Sequence, residues 1–138
     1  YGSPENLYQV INLASIVEKE EKNTQAKASV AGILEKRIRE GWMIGADATV
    51  CYPYKLTSDE CTPEFIVSHI NDKNTYNTRT MLGLPATPIG NPSKETIDAV
   101  IDDEEDTPYY FYLHDSKGNI HYAKTNAEHE ENKRKYIY

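Results

Sequence analysis

The 138-residue chain has a formal charge of −7, 38% hydrophobic residues, and no apolar run near the ~20 residues that span a bilayer. This length indicates one domain with a sizeable core. The acidity argues against nucleic-acid binding, because no basic patch is present to displace phosphate counterions. Eleven tyrosines suit a surface that is apolar and hydrogen-bonding at once, such as a carbohydrate groove.

Two helices are predicted for the first third of the chain. The first spans about 4–21, with Ser3 as its capping residue and a proline in its first turn. The second begins after Asn23 or Thr24 and ends at Gly41, with apolar residues at helical spacing and basic residues near its C-terminal end. We therefore expect a helical pair.

Short helices and irregular segments are predicted to alternate through the middle of the chain. Residues 42–61 break the helical pattern and are interpreted as a loop, after which Thr62 opens a short helix. Residues 71–92 form a long segment with several prolines and glycines, and ordered loops of this length are usually functional. A further helix begins near Ser93 and ends in the acidic run 102–106.

A β-hairpin and a last helix complete the predicted elements. The stretch PYYFYLHDSKGNIHYAK contains two short strands around a turn at 115–118. Thr125 and Glu128 have capping-box spacing and open the C-terminal helix. The predicted fold is α+β and mainly helical, with one small antiparallel hairpin in a single domain covering 1–138.

The cysteines and histidines indicate no metal site. Cys51 and Cys61 could close a short disulfide loop or remain as thiols. The four histidines are scattered along the chain and match no zinc-ligand spacing. We therefore predict neither a metal nor another cofactor, and the redox state of the cysteines stays open.

The end of the first helix carries the candidate catalytic group. On a helical wheel of about 100° per residue, Glu18 falls about 20° from Leu7 and continues the stripe expected to be buried. Glu20 and Glu21 also fall in the wide apolar arc, but they lie nearer the helix end, where burial is least expected. The pattern leaves two alternatives for Glu18, a functional acid held in a cleft or a solvated residue at the helix exit.

An enclosed Glu18 would have a definite chemistry. Desolvation disfavours the carboxylate and raises its pKa, so the side chain would stay protonated near neutral pH. A protonated glutamate beside a glycosidic oxygen acts as a general acid. A hydrolase also needs a second carboxylate, for which Asp47 is the candidate, although Asp47 could instead order its loop by capping backbone amides.

Four segments are distinctive when they are taken together: LASIVEKE, ASVAGILEKRIREGWMIGADATVCY, YNTRTMLGLPATPIGNPS and YYFYLHDSKGNIHYAKTNAEH. In this order they resemble the endolytic murein transglycosylase family (MltG or YceG-like) from about Leu13 to His129. The resemblance implies a lysozyme-like helical core. It also implies endolytic cleavage of the β-1,4 bond between N-acetylmuramic acid (MurNAc) and N-acetylglucosamine (GlcNAc) in peptidoglycan, leaving 1,6-anhydroMurNAc ends.

The resemblance also implies the site residues. The first glutamate of the IVEKE motif, Glu18, corresponds to the catalytic acid and base, and Glu20 and Glu21 would then mark the exit into solvent. Substrate-binding roles are implied by the D-x-T-V-x-Y and YNT motifs and by the end of the last segment, at Asp47, Thr49, Tyr52, Tyr76, Asn77, Thr78 and His129. For Asp47 and Asn77 the alternative is that they only order loop backbones.

Family members carry a membrane anchor and often a LysM-like region. The resemblance therefore implies that this chain is a soluble, monomeric catalytic domain excised from a longer, membrane-anchored protein. It would act on peptidoglycan glycan strands at the extracytoplasmic face of the bacterial cytoplasmic membrane, with cell-wall synthesis proteins as candidate partners. A Cys51–Cys61 disulfide would suit that compartment.

Three departures from the family pattern lie in the presumed substrate loops. They are Gly45, Arg79 and the pair Ala86–Thr87, and they bear on substrate preference rather than on reaction type. Two other functions stay open. One is a muramidase in which Asp47 or Glu20 positions water, and the other is a peptidoglycan-binding module without turnover.

Overall fold

The computed structural model describes residues 4–103 and 107–137. Its elements are α1 (Pro4–Glu20), α2 (Thr24–Arg39), α3 (Ala48–Cys51), a 3₁₀ turn (Tyr52–Tyr54), α4 (Pro63–His69), α5 (Lys94–Ile101), β1 (Phe111–His114), β2 (Ile120–Ala123) and α6 (Asn126–Tyr136). The predicted α+β fold, mainly helical with one antiparallel hairpin, is confirmed.

The predicted helix starts form because polar side chains cap them. Each capping side chain accepts a hydrogen bond from a backbone amide two or three residues later, at Asn23, Thr62, Ser93 and Thr125. Such caps satisfy amide groups that the first helical turn leaves without partners. Ser3, the predicted cap of α1, lies outside the described residues, as do residues 104–106 of the acidic run.

Helix α1 is the central helix and packs against α2 and α5. Its buried apolar residues are Val10, Leu13, Ala14, Ile16 and Val17. Leu7, the origin of the helical wheel, is 47% exposed. The buried face of α1 is therefore turned away from Leu7, and this rotation changes which glutamate continues it.

The long segment 71–92 contains no helix or strand, as predicted. It packs along the polar side of α1, where Asn12 Nδ2 donates to the Pro85 carbonyl at 2.9 Å and the Ile89 amide donates to Ser15 Oγ at 3.0 Å. Both α1 side chains are buried. Helix α1 is therefore covered on its polar side as well, and the segment is anchored to it at two points.

The predicted loop at 42–61 is wrong in part, because α3 and the 3₁₀ turn form within it. The Thr49 hydroxyl donates to the Ala46 carbonyl at 2.6 Å and accepts from the Thr78 amide at 3.0 Å. Thr78 Oγ1 in turn accepts from the Ala46 amide at 2.9 Å. This buried network holds the short helix through contacts distant in sequence, which apolar periodicity does not record.

Cys51 and Cys61 form a disulfide, which resolves the open alternative. The bridge joins the end of α3 to the residue before the Thr62 cap of α4. A crosslink over a loop of this length stabilises a domain by roughly 2–3 kcal/mol, largely by restricting the unfolded chain. Within the two described ranges, no helix is long and apolar enough to cross a membrane.

The hairpin and α6 form one side of the molecule. Strands β1 and β2 pair antiparallel with Tyr112 opposite Tyr122, and Gly118 takes the positive φ of 83° that the turn requires. Helix α6 packs on both strands, and the His129 ring stacks on Phe111 with centroids 4.8 Å apart. This packing positions Tyr112 beside the C-terminal end of α1.

Candidate functional site

A groove of about 760 Å³ lies at the C-terminal end of α1. Its walls come from the end of α1, the end of α2, residues 41–47, the 79–82 segment, the hairpin and α6. A second cavity of about 290 Å³ is adjacent, and Glu20 and Asp47 line both. The large groove falls in the range of about 300–1,000 Å³ that is typical of ligand sites.

Glu20 is the glutamate that borders the groove. Its Oε1 accepts a hydrogen bond from the Tyr112 hydroxyl at 2.7 Å. Burial raises the pKa of Glu20 above 4.5, and the Asp47 carboxylate raises it further, while the Tyr112 bond, Arg79 and His114 oppose the rise. The neutral acid is therefore favoured at Glu20 to a higher pH than in a solvated glutamate.

Tyr112 acts as the hydrogen-bond donor to Glu20. Burial and the Glu20 charge raise the pKa of Tyr112 well above 10, so its hydroxyl stays protonated across the physiological range. A fixed donor on one carboxyl oxygen orients the carboxyl group. Tyr112 therefore sets the direction in which Glu20 faces the groove.

Glu18 occupies a different environment from the predicted one. Its Oε1 accepts from the Ser93 amide at 2.7 Å and from Thr96 Oγ1 at 3.0 Å, and its Oε2 pairs with Lys27 Nζ at 3.1 Å. The Ser93 amide is the main cause that lowers the pKa of Glu18 to about 2, with help from Lys27 and against the effect of burial. The predicted raised pKa is wrong.

The contacts of Glu18 are structural ones. Ser93 is the cap of α5 and Lys27 lies on α2, so this carboxylate ties α1 to both neighbouring helices. Glu18 lines neither cavity. Both of its carboxyl oxygens are engaged and its pKa is low, which differs from the environment predicted for a proton donor held in a cleft.

The expectation that Glu20 and Glu21 mark an exit into solvent is also wrong. Glu21 is only 3% exposed. Its Oε2 contacts His114 Nε2 at 2.6 Å, and its Oε1 accepts from the Asn23 amide at 2.9 Å. The hairpin and the start of α2 cover this end of α1, so the helix ends inside the protein.

The environments of Glu18 and Glu20 shift the pKa values of the two side chains in opposite directions. Carbon-detected NMR of the side-chain carboxyl groups can measure both values. We expect one glutamate signal to titrate at about 2 and another to titrate above 4.5. Glu18→Gln should remove the first signal and Glu20→Gln the second. The reverse assignment would contradict the environments described above.

The D-x-T-V-x-Y residues divide between surface and core. Asp47 is about half exposed and pairs with Arg79 Nη2 at 2.6 Å, and its side chain caps no helix amide. Tyr52 lines the smaller cavity, with its ring centroid 4.9 Å from that of Tyr76. Thr49 is fully buried. Asp47 and Tyr52 are accessible to a ligand, whereas direct substrate contact by Thr49 is wrong because its hydroxyl is enclosed.

The YNT residues order the loop. Asn77 is fully buried, and its Nδ2 donates to the carbonyls of Ile70 and Asp72 at 3.1 and 2.8 Å. Thr78 is fully buried in the network with Thr49. Burial excludes direct sugar contact by Asn77 and Thr78 in this structure, and the two Asn77 bonds are those that the loop-ordering alternative requires.

Tyr76 and His129 have different surroundings from these buried residues. The Tyr76 hydroxyl pairs with Thr87 Oγ1 at 2.9 Å, and its ring packs near Tyr52. His129 lines the large groove, and burial lowers its pKa, which favours the neutral imidazole. Of the two, His129 is the one placed to meet a ligand in the large groove.

Sequence reasoning missed several groove residues. Arg37 lines the groove and donates to the carbonyls of Tyr110 at 2.9 Å and Ile44 at 2.6 Å, so it joins α2 to the hairpin. The sequence predicts Tyr112 only as a residue of the first strand. The missed signal for Glu20 is its spacing of four and seven residues from the buried Ile16 and Leu13.

Known proteins that resemble this chain include two curated transglycosylases and one solved structure. The endolytic murein transglycosylase of Streptococcus pneumoniae strain D39 is 24% identical over 130 residues, covering 94% of this chain and 24% of that protein. The endolytic murein transglycosylase of Bacillus subtilis strain 168 is 25% identical over 132 residues, covering 96% and 35%. A yceG-like protein of Listeria monocytogenes has a crystal structure with a TM-score of 0.79 and 25% identity, covering 90% of this chain and 39% of that one.

These comparisons define the relationship at the level of the family. The chain spans about a quarter to a third of the length of the two curated relatives. The YceG-like family matches residues 2–135, which is nearly the whole sequence. This chain belongs to the YceG-like family.

Proposed function

We propose that this chain is the catalytic domain of an endolytic peptidoglycan lytic transglycosylase, with Glu20 as its general acid and base. The observation that carries the proposal is the Glu20 carboxyl group on the wall of a groove of about 760 Å³, where Tyr112 orients it and burial raises its pKa. The names of the curated relatives support the reaction class. The proposal moves the catalytic role from Glu18 to Glu20.

The proposed reaction cleaves the MurNAc-β-1,4-GlcNAc bond. Neutral Glu20 donates its proton to the bridging oxygen as the bond to C1 of MurNAc breaks, and GlcNAc leaves with a free hydroxyl group. The resulting carboxylate takes the proton of the C6 hydroxyl of MurNAc, whose oxygen bonds to C1. Glu20 is then neutral again, and no water is consumed. Because the nucleophile is part of the substrate, proximity lowers the barrier.

A muramidase is the second candidate, and Asp47 is the observation that favours it. Asp47 lines both cavities beside Glu20 and affects the Glu20 pKa, so a second carboxylate is present. A hydrolase uses such a pair to activate water or to form a covalent intermediate. Arg79 Nη2 donates to Asp47 Oδ1 at 2.6 Å, a contact that occupies one of the two carboxyl oxygens that a hydrolase would need.

Mass analysis of digested, uncross-linked glycan strands separates these functions. We expect internal cleavage with new ends lighter by one water than hydrolysis products, as 1,6-anhydroMurNAc requires. Fragments that carry an added water would establish the muramidase instead. Binding without new ends, at any enzyme concentration, would leave a peptidoglycan-binding module.

The proposal includes the cellular setting. We place this domain at the extracytoplasmic face of the bacterial cytoplasmic membrane, within a longer membrane-anchored protein. Two observations support this placement: the Cys51–Cys61 disulfide fits an oxidising compartment, and the curated relatives are about three to four times longer than the matched region. Nascent glycan strands are the proposed substrate, and cell-wall synthesis proteins are the proposed partners.

A further inference from the structure

We infer that Trp42 is the platform of a distal sugar subsite in the large groove, where it takes the pyranose ring of an N-acetylhexosamine of the glycan strand. The inference rests on the proposed function for its substrate class. It adds a specificity-determining residue that the reaction itself does not require. Trp42 lies in the segment between α2 and α3, whereas Glu20 is at the end of α1 and Tyr112 is on β1.

The Trp42 ring is exposed and yet held in place. It is 39% exposed and lines the groove. It stacks on Tyr110 with centroids 4.7 Å apart at 22°, and Phe111 contacts it at 5.6 Å in a tilted arrangement. Lys36 Nζ lies 3.8 Å from the Tyr110 ring centroid. The indole therefore packs on the Tyr110 ring, which Lys36 contacts in turn, and these contacts keep it ordered without a ligand.

The backbone also fixes this ring. The Trp42 amide donates to the Arg37 carbonyl at 2.8 Å, and Gly41 before it has φ of 78°. A positive φ is available to glycine at little cost, so the chain can turn sharply out of α2 at this point. The turn directs Trp42 to the groove, and a preorganised side chain loses little entropy when a ligand binds.

The surroundings of Trp42 match a sugar better than a purely apolar ligand. Met43 and Leu82 are 46% and 61% exposed on the same groove and extend the apolar surface. Arg37, Asp47 and Arg79 supply polar groups on its walls. A pyranose ring presents C–H groups on its face and hydroxyl or acetamido groups at its edge. An aromatic face bordered by polar groups therefore complements it.

Tryptophan fluorescence tests this subsite directly, because Trp42 is the only tryptophan in the chain. With Glu20→Gln protein, to prevent turnover, we expect triacetylchitotriose and uncross-linked glycan strands to shift the emission in a saturable manner. Cellotriose, which lacks acetamido groups, is the matched control and should shift it less. Emission that stays constant while calorimetry records glycan binding would overturn the subsite.

Steady-state kinetics on glycan strands provide the second test. We expect Trp42→Ala to raise KM about tenfold, as expected for the loss of one aromatic contact, with kcat within about twofold of the wild type. Trp42→Tyr should restore most of the affinity. Tyr8→Ala removes a 47% exposed aromatic residue of α1 that lines neither cavity near Glu20, and it should leave KM unchanged.

The outcomes separate the subsite from the proposed reaction. If a folded Trp42→Ala protein cleaves glycan strands with the kcat and KM of the wild type, the subsite is overturned. The proposed transglycosylase reaction would be unaffected by that result. A wild-type protein that binds glycan with the fluorescence shift but forms no anhydro ends would support the subsite and reject the reaction. Thermal unfolding of each variant establishes that the compared proteins are folded.

Discussion

Glu20→Gln is expected to lower kcat on glycan strands by about 10³-fold, the scale of a lost general acid–base group. Glutamine retains the shape of the side chain and can still accept the Tyr112 hydrogen bond, but it can neither donate the proton to the bridging oxygen nor take the C6 hydroxyl proton. KM should change little, because the groove walls stay in place. The measurement is the rate of formation of 1,6-anhydro ends.

The stability of Glu20→Gln supplies the control for this experiment. Burial raises the pKa of Glu20, so the charged carboxylate costs stability at pH values above its ordinary pKa of 4.5. The amide carries no charge and removes that cost. We therefore expect a thermal midpoint equal to or above that of the wild type. A folded Glu20→Gln protein with wild-type kcat would reject Glu20 as the catalytic acid.

Glu18→Gln is expected to show the opposite behaviour, with kcat retained and the free energy of unfolding lowered by roughly 2–3 kcal/mol at pH 7. The change removes the negative charge that faces Lys27 Nζ at 3.1 Å and the Ser93 amide at 2.7 Å. Lys27 is buried, so its charge would lose its counter-ion. Urea unfolding of variant and wild type measures the difference.

The pH dependence of that difference has a defined sign. The pKa of Glu18 is about 2 in the folded protein against an ordinary 4.5, so the charged form stabilises the fold. This contribution is complete above about pH 4.5 and is lost as the pH falls toward 2. The gap between wild type and Glu18→Gln should therefore be widest near neutral pH and close progressively in acid.

Glu131→Gln is the matched control for Glu18→Gln. Its ion pair with Arg134 at 2.7 Å is about two-thirds exposed, so the loss should stay within about 0.5 kcal/mol at any pH. A stable but inactive Glu18→Gln protein would contradict the structural role of Glu18 and return the catalytic role to it. Together, the two variants separate activity from stability: Glu20→Gln should lose activity and stay stable, and Glu18→Gln should lose stability and stay active.

Most of the secondary structure was predictable because its signals are local. The caps at Asn23, Thr62, Ser93 and Thr125 act within three residues of the helices they start. The hairpin follows from short strands on both sides of a Gly118 turn. Helix α3 was missed because the hydroxyls that hold it belong to Thr49 and Thr78, which are 29 residues apart.

The predicted binding motifs indicate which segments border the groove, but they do not indicate which of their side chains are exposed to it. The D-x-T-V-x-Y segment does border the site, through Asp47 and Tyr52. The polar groups of Thr49, Asn77 and Thr78 instead form hydrogen bonds inside the protein. Side chains of these types serve sugars and loop backbones equally well, and only their burial distinguishes the two roles.

The choice between Glu18 and Glu20 shows where local reasoning ends. Measured from the mean direction of Val10, Leu13, Ile16 and Val17, Glu20 lies roughly 30° away on the helical wheel and Glu18 roughly 130° away. The wheel anchored on Leu7 reversed this order, since an apolar side chain at a helix start need not be buried. The sequence alone was enough to predict a buried helix that ends in glutamates. Its four distinctive segments were enough to indicate the family.

Chain packing gives each acid a different environment. Ser93 and Lys27 reach Glu18 from 75 and 9 residues away and hold it charged. Tyr112 reaches Glu20 from 92 residues away, within an enclosed environment that favours the neutral form. A carboxyl group's protonation depends on the charges and dipoles around it, and here those come from segments that meet α1 only when the chain is folded.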